Sequence, residues 1–172
     1  MSKIIGFVVT MDSHVTYDSS RFDSDDPYSR PDTHTEWGFG YAKTDSKYAD
    51  ALLYLNDDEE IPQQLYLVSV IYSTGDSFWN DFCECIEHLM VYKNYADALN
   101  CQKLVEEQDA EYRKHNYRYS HGLNKKKEKF VDTLMIPNGD GTEKELSCIP
   151  WHGYFESLNN VEIYQFTPRI FN

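Results

Sequence analysis

The fold is decided by one central stretch of the chain, QLYLVSVIYSTGDSFWNDFCECIEHLMVYKNYADALNCQKLVEEQDAEY (Gln64–Tyr112). It opens with Leu65–Tyr72, an apolar run that is typical of an interior β-strand. After the turn Ser73–Ser77, a second apolar run, Cys83–Tyr92, predicts the partner strand. Asn94 is a natural helix cap, and apolar residues follow it at three- and four-residue spacing. The stretch therefore predicts two paired strands with an amphipathic helix packed on them.

The predicted helix has an apolar face and a charged face. Its buried side is expected to carry Ala98, Cys101, Leu104, Val105, Gln108 and Tyr112. Its solvent side is expected to carry Glu106, Glu107, Asp109 and Glu111. This spacing matches the period of an α-helix, so the helix is expected to cover one face of the hairpin.

The N-terminal part predicts strands and a second helix. Lys3–Met11 is rich in β-branched residues and predicts a buried strand, and Phe39–Ala42 predicts a short one. A helix is predicted to begin at Thr44 or Asp45 and to end before Asn56–Pro62, because acidic residues oppose the dipole at a helix C-terminus. Its apolar face would carry Tyr48, Ala49, Leu52 and Leu53.

The C-terminal part predicts two hairpins after a linker. Asn116–Lys129 has the composition of a linker. Four short strands are expected beyond it: Phe130–Ile136, Glu145–Ile149, and residues 151–158 and 161–166. The first two flank Pro137–Gly141 (PNGDG), whose Asn-Gly and Asp-Gly pairs accept the positive φ of tight hairpin turns. The last two are expected to turn at Asn159-Asn160.

The chain is therefore expected to form a single α+β domain over residues 1–172, with a mostly antiparallel sheet and two helices packed on it. A long acidic loop is expected at about residues 12–38, with the sequence DSHVTYDSSRFDSDDPYSRPDTHTEWG. This loop can contain a short hairpin edge. Loops of this length in a compact domain are usually functional or disordered.

Negative charge is concentrated in the first two-thirds of the chain. The net charge is −13, with 22 acidic and 7 basic residues up to Tyr112, and 7 acidic and 9 basic residues from Arg113 onward. Phosphates would be repelled by the acidic part, so direct nucleic-acid binding is not expected. A partner with a basic surface is favoured, including a protein that itself holds DNA or RNA. The 14 tyrosines suit either a core rim or such a binding surface.

The sequence favours a cytoplasmic protein. The segment MSKIIGFVVTMDS lacks the features of a signal peptide, and no apolar stretch approaches the ~18 residues that a membrane span needs. The four cysteines, at positions 83, 85, 101 and 148, are therefore expected to be reduced. Cys83 and Cys85 would share one strand face and His88 the other, which does not match zinc-ligand spacing. No metal site and no cofactor are expected.

One candidate ligand site is the turn formed by Ser73, Thr74, Gly75, Asp76 and Ser77. It combines a flexible glycine, hydroxyl groups and a carboxylate beside a rigid strand, which is a common place for a site. It matches neither a P-loop nor a nucleophile elbow. The alternative is a plain loop whose Asp and Ser side chains bond to their own backbone.

A second candidate is a group of carboxylates and imidazoles: Asp12, His14, Asp18, Asp23, Asp25, Asp26, Asp32, His34 and Glu36. Residues of these types can hold a divalent metal and activate water. Their spacing fits no EF-hand or zincin pattern. A charged, solvated loop is the alternative.

The segment YSTGDSF (Tyr72–Phe78), together with PWHGYFESLNNVEI (Pro150–Ile163), resembles small uncharacterised accessory proteins of tailed bacteriophages. The resemblance covers about the last hundred residues and supplies no catalytic residues. It implies an accessory protein that works in the host cytoplasm.

We therefore expect a protein binder rather than an enzyme. It would capture a host protein with a basic surface, such as a defence protein, and inhibit it. The expected contact residues are Tyr17, Asp18, Asp23, Asp25, Asp26, Tyr28, Asp32 and Trp37. The alternative is a metal-dependent enzyme acting on a nucleotide or nucleic acid, with the Ser73–Ser77 turn beside Asp12, His14 and His34. A third possibility is a structural or assembly protein.

Overall fold

The protein has an α+β fold in which strands predominate. The structure, a computed structural model, describes residues 2–18, 32–75, 83–120, 133–147, 149–152 and 156–168. Its elements are β1 (Ser2–Asp18), β2 (Asp32–Thr44), a 3₁₀ helix (Ser46–Tyr48), β3 (Ala51–Asn56), β4 (Leu65–Thr74), β5 (Cys83–Tyr92), α1 (Tyr95–Ser120), β6 (Leu134–Pro137), β7 (Glu143–Leu146) and β8 (Ser157–Phe166). Among these residues there is one α-helix rather than the two expected.

Six strands form one sheet in the order β2-β1-β3-β5-β4-β8. All neighbours are antiparallel except β3 and β5, which run parallel. The expected mostly antiparallel sheet is therefore confirmed. The predicted hairpin of β4 and β5 lies in its middle, with β8 added on the far side of β4.

The sheet is strongly curled. Flat strands are ~4.8 Å apart, so the two edges of a flat six-stranded sheet would be separated by about 24 Å. Instead, Tyr41 of edge strand β2 stacks on Phe166 of edge strand β8, with ring centroids 3.9 Å apart. Phe7 of β1 meets the same Phe166 ring edge-on at 5.6 Å. The sheet therefore forms an open barrel, and its interior is a buried cluster that includes Leu53, Leu55, Leu65, Leu67 and Val91.

Helix α1 covers the other face of the central strands. As predicted, Asn94 caps it, because the Asn94 Oδ1 accepts a 2.9 Å hydrogen bond from the Asp97 N–H. Ala98, Cys101 and Val105 are fully buried against this face. No helix in the described part of the chain is long and apolar enough to cross a membrane.

A two-stranded hairpin, β6–β7, packs beside the helix. Its turn contains the predicted glycines, and Gly139 and Gly141 have φ of 84° and 92°. The Tyr92 hydroxyl donates a 2.6 Å hydrogen bond to the Pro137 carbonyl and so ties this hairpin to the sheet. The PNGDG prediction is confirmed, with both flanking strands shorter than expected.

The predicted helix after Thr44 is wrong. Only one 3₁₀ turn forms there, capped by the Asp45 side chain, and it is followed by β3. Residues 51, 53 and 55 are buried and alternate with less buried ones, which is the two-residue period of a strand. Pairing with both β1 and β5 overrides the weak helical pattern.

The predicted long loop at residues 12–38 is partly wrong. Residues 8–18 of β1 pair with residues 32–42 of β2, from Val8 opposite Ala42 to Asp18 opposite Asp32. We call this two-stranded segment the ribbon. It forms because Val, Thr and aromatic residues alternate with the acidic ones, a pattern that suits a pleated strand. The segment 19–31 lies outside the described residues.

Three further expectations are corrected by the structure. Asn159-Asn160 is not a turn, because β8 runs continuously through it and Asn159 is an extra residue in the pairing with β4. Helix α1 continues to Ser120, into the expected linker. Leu89 is likewise an extra residue in β5, between His88 and Met90. This bulge breaks the two-residue alternation of faces along the strand, so Leu89, Met90 and Tyr92 all join the helix-covered core.

Candidate functional site

The predicted ligand turn begins where β4 ends. Ser73 is buried, and its hydroxyl lies 3.0 Å from Asn159 Oδ1 and 2.7 Å from Asn159 Nδ2. The same Asn159 Nδ2 donates to Glu84 at 3.2 Å. Ser73 is therefore bound into a network that links β4, β5 and β8.

The next two residues of the turn are more accessible. Thr74 donates a 3.3 Å hydrogen bond to Glu156, and Gly75 has φ of 99°, a conformation that favours glycine. Asp76 and Ser77 lie outside the described residues. The carboxylates of Glu84 and Glu156 border this turn, so a phosphate-bearing ligand would meet repulsion here.

The ribbon sorts the predicted contact residues onto two faces. Opposed residues of an antiparallel pair share a face, and alternate residues of one strand share it too. One face, which we call the polar face, therefore has Asp12, His14, Asp18, Asp32, His34 and Glu36 at its register positions. Tyr17 and Trp37 occupy register positions of the opposite face. Asp23, Asp25, Asp26 and Tyr28 lie outside the described residues.

Two cross-strand pairs on the polar face have chemical consequences. Asp18 is directly opposite Asp32, and His14 is directly opposite Glu36. Like charges at directly opposed positions destabilise a strand pair, whereas opposite charges stabilise it. The last described pair of the ribbon therefore places two acidic residues at opposed register positions.

The ribbon and the ligand turn lie at the same end of the sheet. β1 runs antiparallel to β3, and β3 runs parallel to β5, so the ribbon extends in the direction of the N-terminal end of β5. In strand order, β3 and β5 stand between the ribbon and β4. The two predicted sites therefore belong to one end of the molecule but to strands that are not neighbours.

Sequence reasoning missed a Ser–His pair inside the sheet. Ser69 Oγ lies 2.8 Å from His88 Nδ1. Burial lowers the pKa of His88, and the nearby negative charge of Asp50 opposes this shift. Ser69, His88 and Asp50 are of the types that serve as nucleophile, base and acid in enzymes. Ser69 is 0% exposed, however, so no substrate can reach its hydroxyl. The pair is a hydrogen bond between two polar side chains inside the barrel. No spacing in the sequence predicts it.

A second missed group anchors the C-terminal half of α1. Asp109, expected on the solvent side, is only 6% exposed, and Arg113 Nε donates to it at 2.6 Å. His152 Nε2 lies 3.9 Å from the Asp109 carboxylate, and the His152 ring stacks on Tyr112 at 3.8 Å. Arg113 also donates to the Leu158 carbonyl at 2.7 Å. This cluster fastens the helix to the 149–152 turn and β8.

Two surface cavities have sizes that restrict their ligands. A cleft of about 60 Å³ is lined by Glu87, Lys144 and Trp151, among others. That is room for only a few water molecules, far below the ~300 Å³ of a typical small-molecule site. A wide groove of about 390 Å³ beside the start of α1 is lined by Asp97, Glu143 and the backbone of the β6–β7 turn. Its two carboxylates suit a cationic ligand better than a nucleotide.

The cysteines do not build a zinc centre in the part of the chain that is described. Cys83 and Cys85 share a strand face as predicted, with their sulfurs 4.0 Å apart. Cys101 is buried on α1, and Cys148 lies outside the described residues. No group of three or more His, Cys, Asp or Glu side chains placed to hold a metal ion occurs among the side chains that are described.

Comparison of the chain with protein-family models, curated proteins and solved structures finds no match. The resemblance to phage accessory proteins therefore stays a prediction.

Proposed function

We propose that this protein is a non-enzymatic binding protein that captures a partner with a basic surface through the polar face of the ribbon. The observation that carries this proposal is the register of the ribbon, in which Asp18 is opposed to Asp32. Such a pair disfavours the folded ribbon on its own. A lysine or arginine of a partner placed between the two carboxylates would relieve the repulsion and gain a charge-assisted hydrogen bond.

The electrostatics of the rest of the chain support the same proposal. A net charge of −13 steers basic partners toward the protein over long range. The groove lined by Asp97 and Glu143 adds a further acidic surface. If the resemblance to phage accessory proteins holds, the partner is a host protein, and capture of a defence protein would make this chain an inhibitor.

The experiment compares two double variants that each remove two negative charges. D18N/D32N changes the opposed pair of the ribbon, and E106Q/E107Q changes exposed carboxylates on α1. A partner is first captured from bacterial lysate with the tagged protein and identified by mass spectrometry. Its affinity for each variant is then measured by calorimetry at about 0.05 M and 0.3 M salt, because the Debye length falls from ~14 Å to ~6 Å between these concentrations.

The proposal expects opposite effects on binding and on stability. D18N/D32N should weaken binding at least about tenfold, which corresponds to ~1.4 kcal/mol, and should raise the melting temperature of the free protein. E106Q/E107Q should have little effect on the affinity for the partner or on the melting temperature of the free protein. Binding that ignores salt, or that D18N/D32N leaves intact, would contradict the proposal.

The second candidate function is a metal-dependent enzyme acting on a nucleotide or nucleic acid. The observation that favours it is the presence of His14, His34 and Glu36 on the same ribbon face as Asp12. Imidazole and carboxylate groups together suit Mn²⁺ or Zn²⁺. Calorimetry with each metal, and a thermal-shift assay with ATP in its presence, would test it. A metal-dependent shift that is lost in H14A would support this function over the first.

A further inference from the structure

Two thiols lie side by side where β5 begins. Cys83 is the first residue of the strand and is opposed to Thr74, while Cys85 is opposed to Tyr72. Their sulfurs are 4.0 Å apart. Cys83 is exposed and Cys85 is half-buried, so small molecules in solution can reach the pair.

We propose that Cys83 and Cys85 form a reversible dithiol–disulfide couple that exchanges electrons with low-molecular-weight disulfides. Cα atoms two residues apart on a strand are separated by about 6.4–6.8 Å. Protein disulfides span Cα distances of about 4.4–6.8 Å, so the bond is possible at the upper limit of this range. A disulfide near that limit is strained, and strained or exposed disulfides are easily reduced. The couple is therefore a labile one rather than a structural crosslink.

The order of attack follows from the exposure of the two sulfurs. The Cys83 thiolate attacks one sulfur of a disulfide such as oxidised glutathione, forms a mixed disulfide and releases one glutathione, which takes up the Cys83 proton. Cys85, beside the Tyr72 hydroxyl, then attacks the Cys83 sulfur. The second glutathione leaves with the Cys85 proton. Overall, the two protein thiols lose two electrons and the small disulfide gains them.

The buried thiol of Cys101 provides an internal control. Cys101 is 0% exposed, and burial raises its pKa to about 11, so it holds almost no thiolate at neutral pH. Since the thiolate is the reacting species, Cys101 is expected to stay unmodified under conditions that oxidise the pair.

Peptide mass spectrometry of the full chain tests the proposal. After equilibration with graded ratios of oxidised to reduced glutathione, the protein is quenched with acid, alkylated and digested with trypsin. The peptide Tyr48–Lys93 contains Cys83 and Cys85 and no other cysteine, whereas Cys101 and Cys148 fall on other peptides. Loss of two hydrogens from this peptide, reversed by dithiothreitol, is the expected result.

The single variants identify the step at which the reaction stops. C85S should retain one glutathionyl group on Cys83, because the second attack is impossible, whereas C83S should take up glutathione more slowly because only the less exposed Cys85 remains. In the wild-type protein, stable glutathionyl adducts on this peptide, a crosslink to the Cys148 peptide or persistent alkylation of both thiols would each overturn the proposal. The wild-type result decides this point whether or not a variant folds.

Discussion

At the scale of single residues, Gly6 fixes the position of the 3₁₀ turn. It is opposed to Thr44 on one side and Leu52 on the other, so the chain between these strands passes directly over it. A Cβ atom at Gly6 would lie 2.6 Å from the Ala49 Cβ and 3.0 Å from the Ser46 Cα. No side chain fits there without movement of the backbone.

G6A is therefore expected to lower the free energy of unfolding by about 1–3 kcal/mol. Because the clash is mainly with Ala49, the double variant G6A/A49G should lose less stability than the sum of the two single changes. Chemical denaturation of the four proteins measures the coupling. If the two single changes are strictly additive, the Ala49 Cβ is not what excludes a side chain at position 6.

Glu87 makes the stability of the protein depend on pH. The Glu87 side chain is exposed, but partial desolvation where it borders the small cleft raises its pKa above the ordinary value, and Lys144 opposes the shift. The charged form of Glu87 is thus disfavoured in the folded state. Below the pKa of the unfolded chain, the protonated group contributes its full stabilisation. This stabilisation is lost as pH rises through the higher pKa of the folded protein. E87Q should melt higher than the wild type at pH 7 and equally near pH 3, where both carry neutral groups.

The control for this pH effect is E106Q, which removes the same charge on the exposed face of α1. Melting curves of both variants across the pH range separate the local burial effect from a general reduction of net charge. If E106Q stabilises the protein at pH 7 as much as E87Q does, the effect of Glu87 is only one of net charge.

Some of these local contacts could be predicted from the residue types alone, and others could not. Asn94 and the PNGDG glycines could be assigned from sequence because their roles depend on local backbone geometry. Asp109 could not, because a carboxylate on a helix is normally solvated. Its burial depends on Arg113 and His152, and His152 is distant in sequence. Ser69 and His88 were missed for the same reason, since only strand pairing brings them together.

At the scale of elements, α1 is held at its C-terminal half by the buried Asp109. D109N is expected to lower the free energy of unfolding by about 1.5–3 kcal/mol, the range for hydrogen bonds to charged groups. The matched control is E111Q on the same helix, where the ion pair with Lys114 is exposed and worth at most about 1 kcal/mol. Thermal and chemical denaturation compare the two. Equal losses would mean that burial of Asp109 adds nothing.

The element boundaries show what local pattern can and cannot predict. The paired strands β4 and β5 were predicted because their runs are long and apolar. Strand β3 was predicted as a helix because Tyr48, Ala49, Leu52 and Leu53 fit a helical face, and a six-residue strand gives too little alternation to outweigh it. Asn159-Asn160 has the composition of a turn, but it forms a bulge whose Asn159 side chain reaches Ser73.

At the scale of the whole molecule, the barrel closes through aromatic rings. F166A removes the ring that contacts both Phe7 and Tyr41 and is expected to lower the free energy of unfolding by about 3–5 kcal/mol. Burial raises the pKa of Tyr41 to about 12, so its pKa also reports closure. In F166A, this pKa should fall toward the ordinary value near 10. The conservative F166L should shift both quantities less.

Nuclear magnetic resonance of proteins with labelled tyrosine rings follows this titration. A Tyr41 pKa that stays near 12 in F166A would show that other side chains close the barrel.

Curling of the sheet could not be predicted from sequence, because it results from contacts between the two edge strands, β2 and β8. The parallel pairing of β3 with β5 is likewise a long-range property with no local signature. The acidic ribbon was recognised as a charged segment, but its register and its two faces were not.

The contact between Tyr41 and Phe166 joins two sheet edges by ring packing, with no backbone ladder between β2 and β8 in the described part of the chain. Separation of these edges would break side-chain contacts and leave every described strand pair intact. The barrel is therefore expected to open transiently between β2 and β8, at a lower free energy than global unfolding requires. Water would then reach the apolar interior of the barrel while the core beneath the helix remains packed.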